Sequence, residues 1–364
     1  MVLIIRKWIS AVLAAALLLS CRPGASAAGA PRVGALCAVV MNRGGEIVYA
    51  KNAEKRALIA STTKLMTAIV SLEQAGPSEA VEVRPEHCAV EGSSMYLKPG
   101  ERYTVRQLVT GLLLVSGNDA ALALADHVAG SPEAFAVRMN RKARELGLGN
   151  SHFVNPHGLD AGDHYSSAAD LARLMAYCME NPDFAAITRM KSFRLGENIY
   201  YNHNRLLSDC PGCIGGKTGF TEAAGRCLVS CCEREGTRLI CVTLSDPDDW
   251  KDHRTLYDWA FAHYGERDVS GEVRFDVEVL SGERASVSVE AQPLPLFLPK
   301  NAQLRVEAEL PRFVFAPVEA GMPAGKLTVI SGGEVLGEAD LVYGESVAQR
   351  ERHSWLWNRI QSRK

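Results

Sequence analysis

The chain has almost no net charge: 40 Lys and Arg residues face 42 Asp and Glu residues, leaving −2 at neutral pH. No global field therefore draws it to nucleic acid or to an acidic membrane. A comfortable membrane span is also missing, since the apolar run at residues 8–19 is too short for one. No internal repeat and no low-complexity tract is visible, which excludes solenoid arrays. What is present is a 47% hydrophobic content, ample for a sizeable core, and 364 residues, a length that suits two or three domains.

The short apolar run has a different use. Arg6 and Lys7 precede it, as in a secretory leader. Ala25-Ser26-Ala27 is an A-x-A cleavage site, giving a signal peptide over residues 1–27. Leu18-Leu19-Ser20-Cys21 is a competing lipoprotein box with Cys21 as the lipidated residue, but Leu19 fits its middle poorly, so simple cleavage is favoured. Either route delivers the chain to the extracytoplasmic face of the membrane or the cell wall.

Ten cysteines are many for an exported chain, where disulfides persist. Losing Cys21 leaves nine, so at least one is unpaired. Cys210-x-x-Cys213 with Cys231-Cys232 invites a zinc reading, but the second pair lacks the usual gap and no His pair follows. The expectation is no metal and small buried thiols on strands, with one disulfide as an option.

Residues 36–50 read as two strands around Asn42-Arg43-Gly44-Gly45. Ser61 opens a helix with an apolar stripe of Leu65, Met66, Ile69, Val70 and Leu72, stopped by Gly76-Pro77. A capping box at Thr104–Gln107 precedes an apolar helix ending near Val115. Further helices are expected over 119–128, 131–146, 167–179 and 254–264, and strands over 227–230 and 239–244. After about residue 268 helical periods vanish. Short alternating strands at 273–279, 285–290, 303–310 and 326–330 predict a small all-β domain over 268–345. In the tail, 346–364, five basic residues surround Trp355, Leu356, Trp357 and Ile360, a pattern suited to a membrane-surface helix.

Three short motifs carry chemistry: Ser61-Thr62-Thr63-Lys64, Ser116-Gly117-Asn118 and Lys217-Thr218-Gly219. A serine hydroxyl needs an adjacent base to attack a carbonyl. Ser61 and Lys64, three apart at a helix start, project from one face, and burial beside the cation Lys217 would leave Lys64 neutral enough to take the proton. Ser116 could relay that proton to a leaving amine, and Asn118 could bind a substrate amide. Lys217 and Thr218, on an exposed strand edge, suit a terminal carboxylate, with Gly219 and Phe220 extending the strand. The backbone N–H groups of Ser61 and Phe220 are the expected oxyanion hole. A Walker A loop is excluded because Pro211 stands where its first glycine belongs.

Together, in this order, the motifs resemble the serine D-alanyl-D-alanine carboxypeptidases, the low-molecular-mass penicillin-binding proteins. Phe153-Val154-Asn155-Pro156-His157-Gly158-Leu159 and Asn202-His203-Asn204-Arg205-Leu206-Leu207 are similar to further family segments. Ala224-Gly225-Arg226-Cys227-Leu228-Val229 and Asp248-Asp249-Trp250-Lys251-Asp252-His253 look like Gram-positive members. The resemblance implies an α/β transpeptidase/β-lactamase-like catalytic domain over 31–267, with a helical lobe carrying Ser116 to Asn118, followed by the all-β domain. It implies Ser61 as acylated nucleophile, Lys64 as its base, and a peptidoglycan stem peptide as substrate, with β-lactam antibiotics as inhibitors and no cofactor. His157 is expected to set a turn, outside the catalytic group. Family members add a basic residue for the substrate carboxylate; Lys251 and Arg254 are both in range, and neither is preferred. A β-lactamase is disfavoured because no Glu-x-x-Leu-Asn segment lies between the second and third motifs. Intact motifs disfavour a non-catalytic wall-binding scaffold. An endopeptidase shares every feature named.

Overall fold

The computed structural model describes residues 2–6 and 29–351. The expected cleavage sites, Cys21 and the Trp355–Trp357 cluster lie outside the described residues.

The unit Cys21–Ala262 is built on a five-stranded antiparallel sheet. Its strands are β1 (Cys37–Asn42), β2 (Ile47–Lys51), β3 (Cys213–Thr221), β4 (Gly225–Arg234) and β5 (Thr237–Leu244). They lie in the order β2, β1, β5, β4, β3. The strand carrying Lys217 is therefore an edge, with one side unpaired. β1, β4 and β5 read as near-continuous apolar runs because the middle of the sheet is covered on both faces.

Helices pack over the sheet. They are α1 (Lys64–Gln74), α2 (Val105–Leu114), α3 (Asn118–Ala129), α4 (Pro132–Glu145), α5 (Ala168–Glu180) and α6 (Asp249–His263). The stripe of α1 is fully buried at Leu65, Met66, Ile69 and Val70; such side chains contribute about 1.5–3 kcal/mol each. Local signals set the helix starts. Thr104 Oγ1 accepts from Gln107 N at 3.1 Å while Gln107 Oε1 accepts from Thr104 N at 2.8 Å, the expected capping box. Ser131 and Ser167 cap α4 and α5 with a single bond each, their hydroxyl oxygens accepting from Ala134 N and Asp170 N at 3.1 Å.

Two expectations need correction. The first turn after Ile59 is a 3-10 turn (Ala60–Thr63), and the α-helix begins only at Lys64. The last helix of this unit begins at Asp249, five residues before the expected 254. There Asp246 Oδ1 accepts from Asp248 N at 3.0 Å, and Asp249 places a carboxylate in the first turn.

The second unit takes the chain from His263 onward. Its seven-stranded sheet contains β6 (Phe275–Leu280), β7 (Ser286–Ala291), β8 (Arg305–Glu309), β9 (Phe313–Phe315), β10 (Pro323–Ser331) and β11 (Glu334–Tyr343). Val2–Arg6, within the expected leader, pairs with β8 as the seventh strand. Strand alternation buries Phe275, Val277 and Val279 on one face. β11 was not read from the sequence. Glycine and acidic residues interrupt its apolar pattern, and its ladder with β10 defines it.

Candidate active site

The Ser61 turn is strained and held from several sides. Ala60 has φ +46°, in the left-handed region that costs a residue with a Cβ about 1 kcal/mol or more. Thr63 Oγ1 donates to Ala60 O at 2.8 Å. His164 Nδ1 accepts from Val154 N at 3.1 Å, so the ring proton sits on Nε2 and is donated to Thr63 Oγ1 at 2.7 Å. Burial, then nearby cationic groups, push His164 down to about 4 and keep it in that neutral tautomer. Gly158, at φ +88°, lies directly under the Ala60 carbonyl, where a Cβ would overlap the oxygen. Gly219 approaches from the sheet, and a Cβ there would stand 3.0 Å from Ser61 N.

Lys64 is fully buried. Its Nζ lies 2.9 Å from Ser61 Oγ, 2.7 Å from Asn118 Oδ1 and 2.5 Å from the His157 carbonyl oxygen. Asn118 Oδ1 and His157 O can only accept, so they take two N–H bonds. In the neutral amine, the direction left toward Ser61 is then the lone pair. Burial holds Lys64 well below the usual lysine range, and the charge of Lys217 lowers it further, against a smaller opposite pull from Asp119.

The second motif joins α2 to α3. Ser116 is buried with φ +64°, a left-handed turn that aims its side chain into the cleft. Asn118 is fixed at its other end, where Nδ2 donates to Glu91 O at 2.6 Å. Asp119 anchors the opposing loop by accepting from Ser94 Oγ at 2.7 Å, Met95 N at 3.0 Å and Leu97 N at 3.1 Å. Gly117 is required, since a Cβ would meet Asp119 Oδ1 at 2.8 Å.

Lys217 is buried at the third motif, and its Nζ donates to Thr218 O at 2.7 Å. Burial alone pushes it down to about 7. Thr218, Gly219 and Phe220 line the cleft, and Phe220 is 65% exposed at its rim.

Ser61, Ser116 and these β3 residues share one cleft of about 310 Å³, while Lys64 and Lys217 are buried and not in its lining. Ser93, His203, Arg226, Asp249 and Trp250 complete the lining, and none of these five was picked from the sequence as a site residue. Ser93 carries no local signal, and His203 stood out only as part of the family-like segment 202–207; distant segments bring both in. Arg226 does have one, a tight turn (Gly225, φ +68°) just after the third motif. Asp249 Oδ1 accepts from Arg226 Nε at 3.0 Å and Nη2 at 2.7 Å, and the guanidinium lies 5.7 Å from the Trp250 ring centre. Lys251 and Arg254, the two expected cations, are not in the lining. His157 sets a turn as expected, with Asn155 Oδ1 accepting from Gly158 N at 2.7 Å. Its carbonyl contact with Lys64 was not anticipated. Among the described residues, no group of three or more His, Cys, Asp or Glu is placed to hold a metal ion.

Residues 25–248 match the family pattern described as D-alanyl-D-alanine carboxypeptidase, and residues 270–349 match the C-terminal domain of penicillin-binding protein 5. The chain is 31% identical over 322 residues to the Bacillus subtilis D-alanyl-D-alanine carboxypeptidase DacF, covering 83% of each. It is 40% identical over 215 residues to DacB2 of Mycobacterium tuberculosis, covering 56% of this chain and 74% of that one. The solved penicillin-binding protein 5 of Haemophilus influenzae aligns with a TM-score of 0.69 at 29% identity, over 88% of this chain and 99% of its own.

Proposed function

The chain belongs to the D-alanyl-D-alanine carboxypeptidase family, and from that premise we propose that it trims the terminal D-alanine from peptidoglycan stem pentapeptides through an acyl-enzyme on Ser61. The observation that carries this reading is the buried Lys64 Nζ, 2.9 Å from Ser61 Oγ with its other two directions occupied by acceptors.

The steps follow from the geometry. Neutral Lys64 takes the Ser61 proton as Oγ attacks the carbonyl of the penultimate D-alanine. The backbone N–H groups of Ser61 and Phe220 receive the developing oxyanion. Ser116 returns a proton to the leaving D-alanine amine, and water then hydrolyses the ester. Lys217 and Thr218 hold the terminal carboxylate, and Arg226, already over the cleft, is the added cation for it. Asn118 positions Lys64 and the substrate amide. Gly219 and Phe220 present backbone to the peptide along the free edge of β3. β-Lactams acylate the same serine. Serine, lysine and backbone donors supply the chemistry without a cofactor.

The catalytic unit is proposed to span 31–267 and to work outside the cytoplasmic membrane, with the basic tail 346–364 touching the lipid surface. No helix among the described residues is long and apolar enough to cross a membrane.

The test uses a peptide ending in D-Ala-D-Ala, with intact-mass spectrometry after penicillin treatment. Expected are D-alanine release and one long-lived adduct, both lost in Ser61→Ala. A folded wild-type protein with no adduct would overturn the reading in favour of a wall-binding scaffold. Rapid penicillin turnover would replace it with a β-lactamase.

A further inference from the structure

Three thiols that the mechanism does not use converge at the open end of the β3–β4 hairpin. Cys210 follows the short helix Leu206–Asp209, Cys213 begins β3, and Cys232 on β4 is the register partner of Cys213. Cys210 Sγ and Cys232 Sγ are 3.8 Å apart. Cys232 is fully buried, and Cys210 retains 5% exposure. Arg234 braces this corner, donating from Nε to Pro211 O at 3.0 Å and from Nη2 to Cys210 Sγ at 3.7 Å. Cys213 faces Cys232 across the ladder and its thiol is lowered by a hydrogen bond from Cys232 as well, while its own S–H goes to Gly215 O at 3.6 Å. The described cysteines are all unbonded.

We propose that Cys210 and Cys232 form a reversible disulfide by exchange with an external disulfide, closing the hairpin that carries Lys217, Thr218 and Gly219. The sulfurs are in contact, so a rotamer adjustment brings them to the bond length of about 2.05 Å. Cys210 is the entry thiol. The hydrogen bond from Cys232, then the Arg234 guanidinium, pull it down to about 7, near the optimum for attack at neutral pH. By contrast, burial pushes Cys227 up to about 12 and raises Cys178 and Cys241 well above the ordinary thiol value.

The exchange balances in two displacements. The Cys210 thiolate attacks one sulfur of the incoming disulfide R–S–S–R; its S–S bond breaks, and one R–S⁻ departs. The Cys232 sulfur, giving up its proton, then attacks Cys210 in the mixed disulfide and expels the second R–S⁻. The two protein thiols lose two electrons, and the external disulfide gains them as two R–SH, which carry away both protons. The closed ring spans Cys210 to Cys232 and so encloses the whole Lys-Thr-Gly strand.

The test treats the folded full-length protein with oxidised glutathione at neutral pH, alkylates the remaining thiols and maps peptides without reduction. Expected is a Cys210–Cys232 cross-linked peptide, reversed by reduced glutathione, with Tm raised by roughly 5–10 °C. Cys213→Ser keeps the cross-link. Cys210→Ser, a near-isosteric change at a buried position, abolishes both the cross-link and the Tm shift. Glutathione adducts alone, a Cys213–Cys232 pair, or a link that forms only after unfolding would overturn the proposal. A link without a Tm rise would overturn its role as a clamp on the hairpin. Neither readout depends on enzymatic activity.

Discussion

Lys64 meets the backbone of His157 and not its imidazole: Nζ donates to the His157 carbonyl at 2.5 Å. The ring turns away, its Nδ1 accepting from Leu159 N at 3.2 Å. Pro156 O accepts from Thr67 Oγ1 at 2.6 Å, so this turn is bonded to α1 one turn beyond Lys64 as well. The Asn-Pro-His-Gly-Leu segment thus acts as a brace that points one carbonyl at the amine. With Asn118 Oδ1 it fixes two of the three directions around Nζ.

Removing either member of the central pair should stop acylation. Ser61→Ala leaves no nucleophile, and Lys64→Gln leaves no base. Each is expected to lower the rate of penicillin adduct formation by at least about 10³-fold, without loss of folding. A mass-spectrometric time course reads this directly. A Lys64→Gln protein acylated at the wild-type rate would remove Lys64 from the mechanism.

The two buried lysines pull the pH profile in opposite directions. Lys64 must be neutral to accept a proton, and its value is lowered, so acylation persists at pH well below the ordinary lysine range. Lys217 must be charged to attract a carboxylate, and in the free enzyme it sits at about 7. Substrate capture should therefore weaken as pH rises above about 7, by up to tenfold per pH unit. A bell-shaped kcat/KM is expected, and the free-enzyme profile reports both limbs. Lys217→Arg, which does not titrate, should lose the falling limb while it keeps the rising one.

The motifs were legible because each demands a fixed residue type at fixed local spacing, as Ser61 and Lys64 do on a single helical turn. The strong periodicities of α1 to α5 were legible for the same reason. What escaped was long-range. Ser93 and His203 reach the cleft only because Asp119 anchors residues 94–97 and because His203 N donates to Leu114 O at 3.0 Å. The cation lining the cleft was also not legible from position along the chain. Lys251 and Arg254 come after β5 and lie outside the lining, whereas Arg226, at the β3–β4 hairpin turn, is within it.

Arg226 should show a binding signature. Arg226→Gln keeps much of the volume but loses the cation, so KM for a peptide with a free terminal carboxylate is expected to rise about tenfold with kcat little changed. A C-terminally amidated peptide, already poor, should be affected far less. Equal losses on both peptides would mean that Arg226 only supports Asp249 and Trp250.

Gly158 tests the strained turn. Its Cβ-less, left-handed backbone lies against the Ala60 carbonyl. Gly158→Ala has to move that carbonyl, and with it Ser61. A loss of at least about 2 kcal/mol in denaturant unfolding is expected, together with a larger fall in acylation rate than Gly149→Ala, where a Cβ meets open space. Equal behaviour of the two variants would show that the Ser61 turn does not depend on this contact.

His164 ties the same turn to pH. In the folded protein it stays neutral down to about 4, whereas its ordinary value is 6.5. Between those values the unfolded chain binds the extra proton and the folded chain does not, so stability falls as pH drops from about 6.5 toward 4. The full titration of this one group amounts to about 3 kcal/mol. Its protonation also destroys the acceptor at Nδ1 that fixes the Nε2–H bond to Thr63, so the Ala60 turn should loosen over the same range. His164→Gln retains a donor for Thr63 but does not titrate. Its stability is expected to fall less steeply with acid than that of the wild type, and denaturant melts across this range measure both slopes. Parallel slopes would move the acid sensitivity to other histidines that burial lowers: buried His253 at about 3, buried His87 below its ordinary value, and half-buried His157 at about 4.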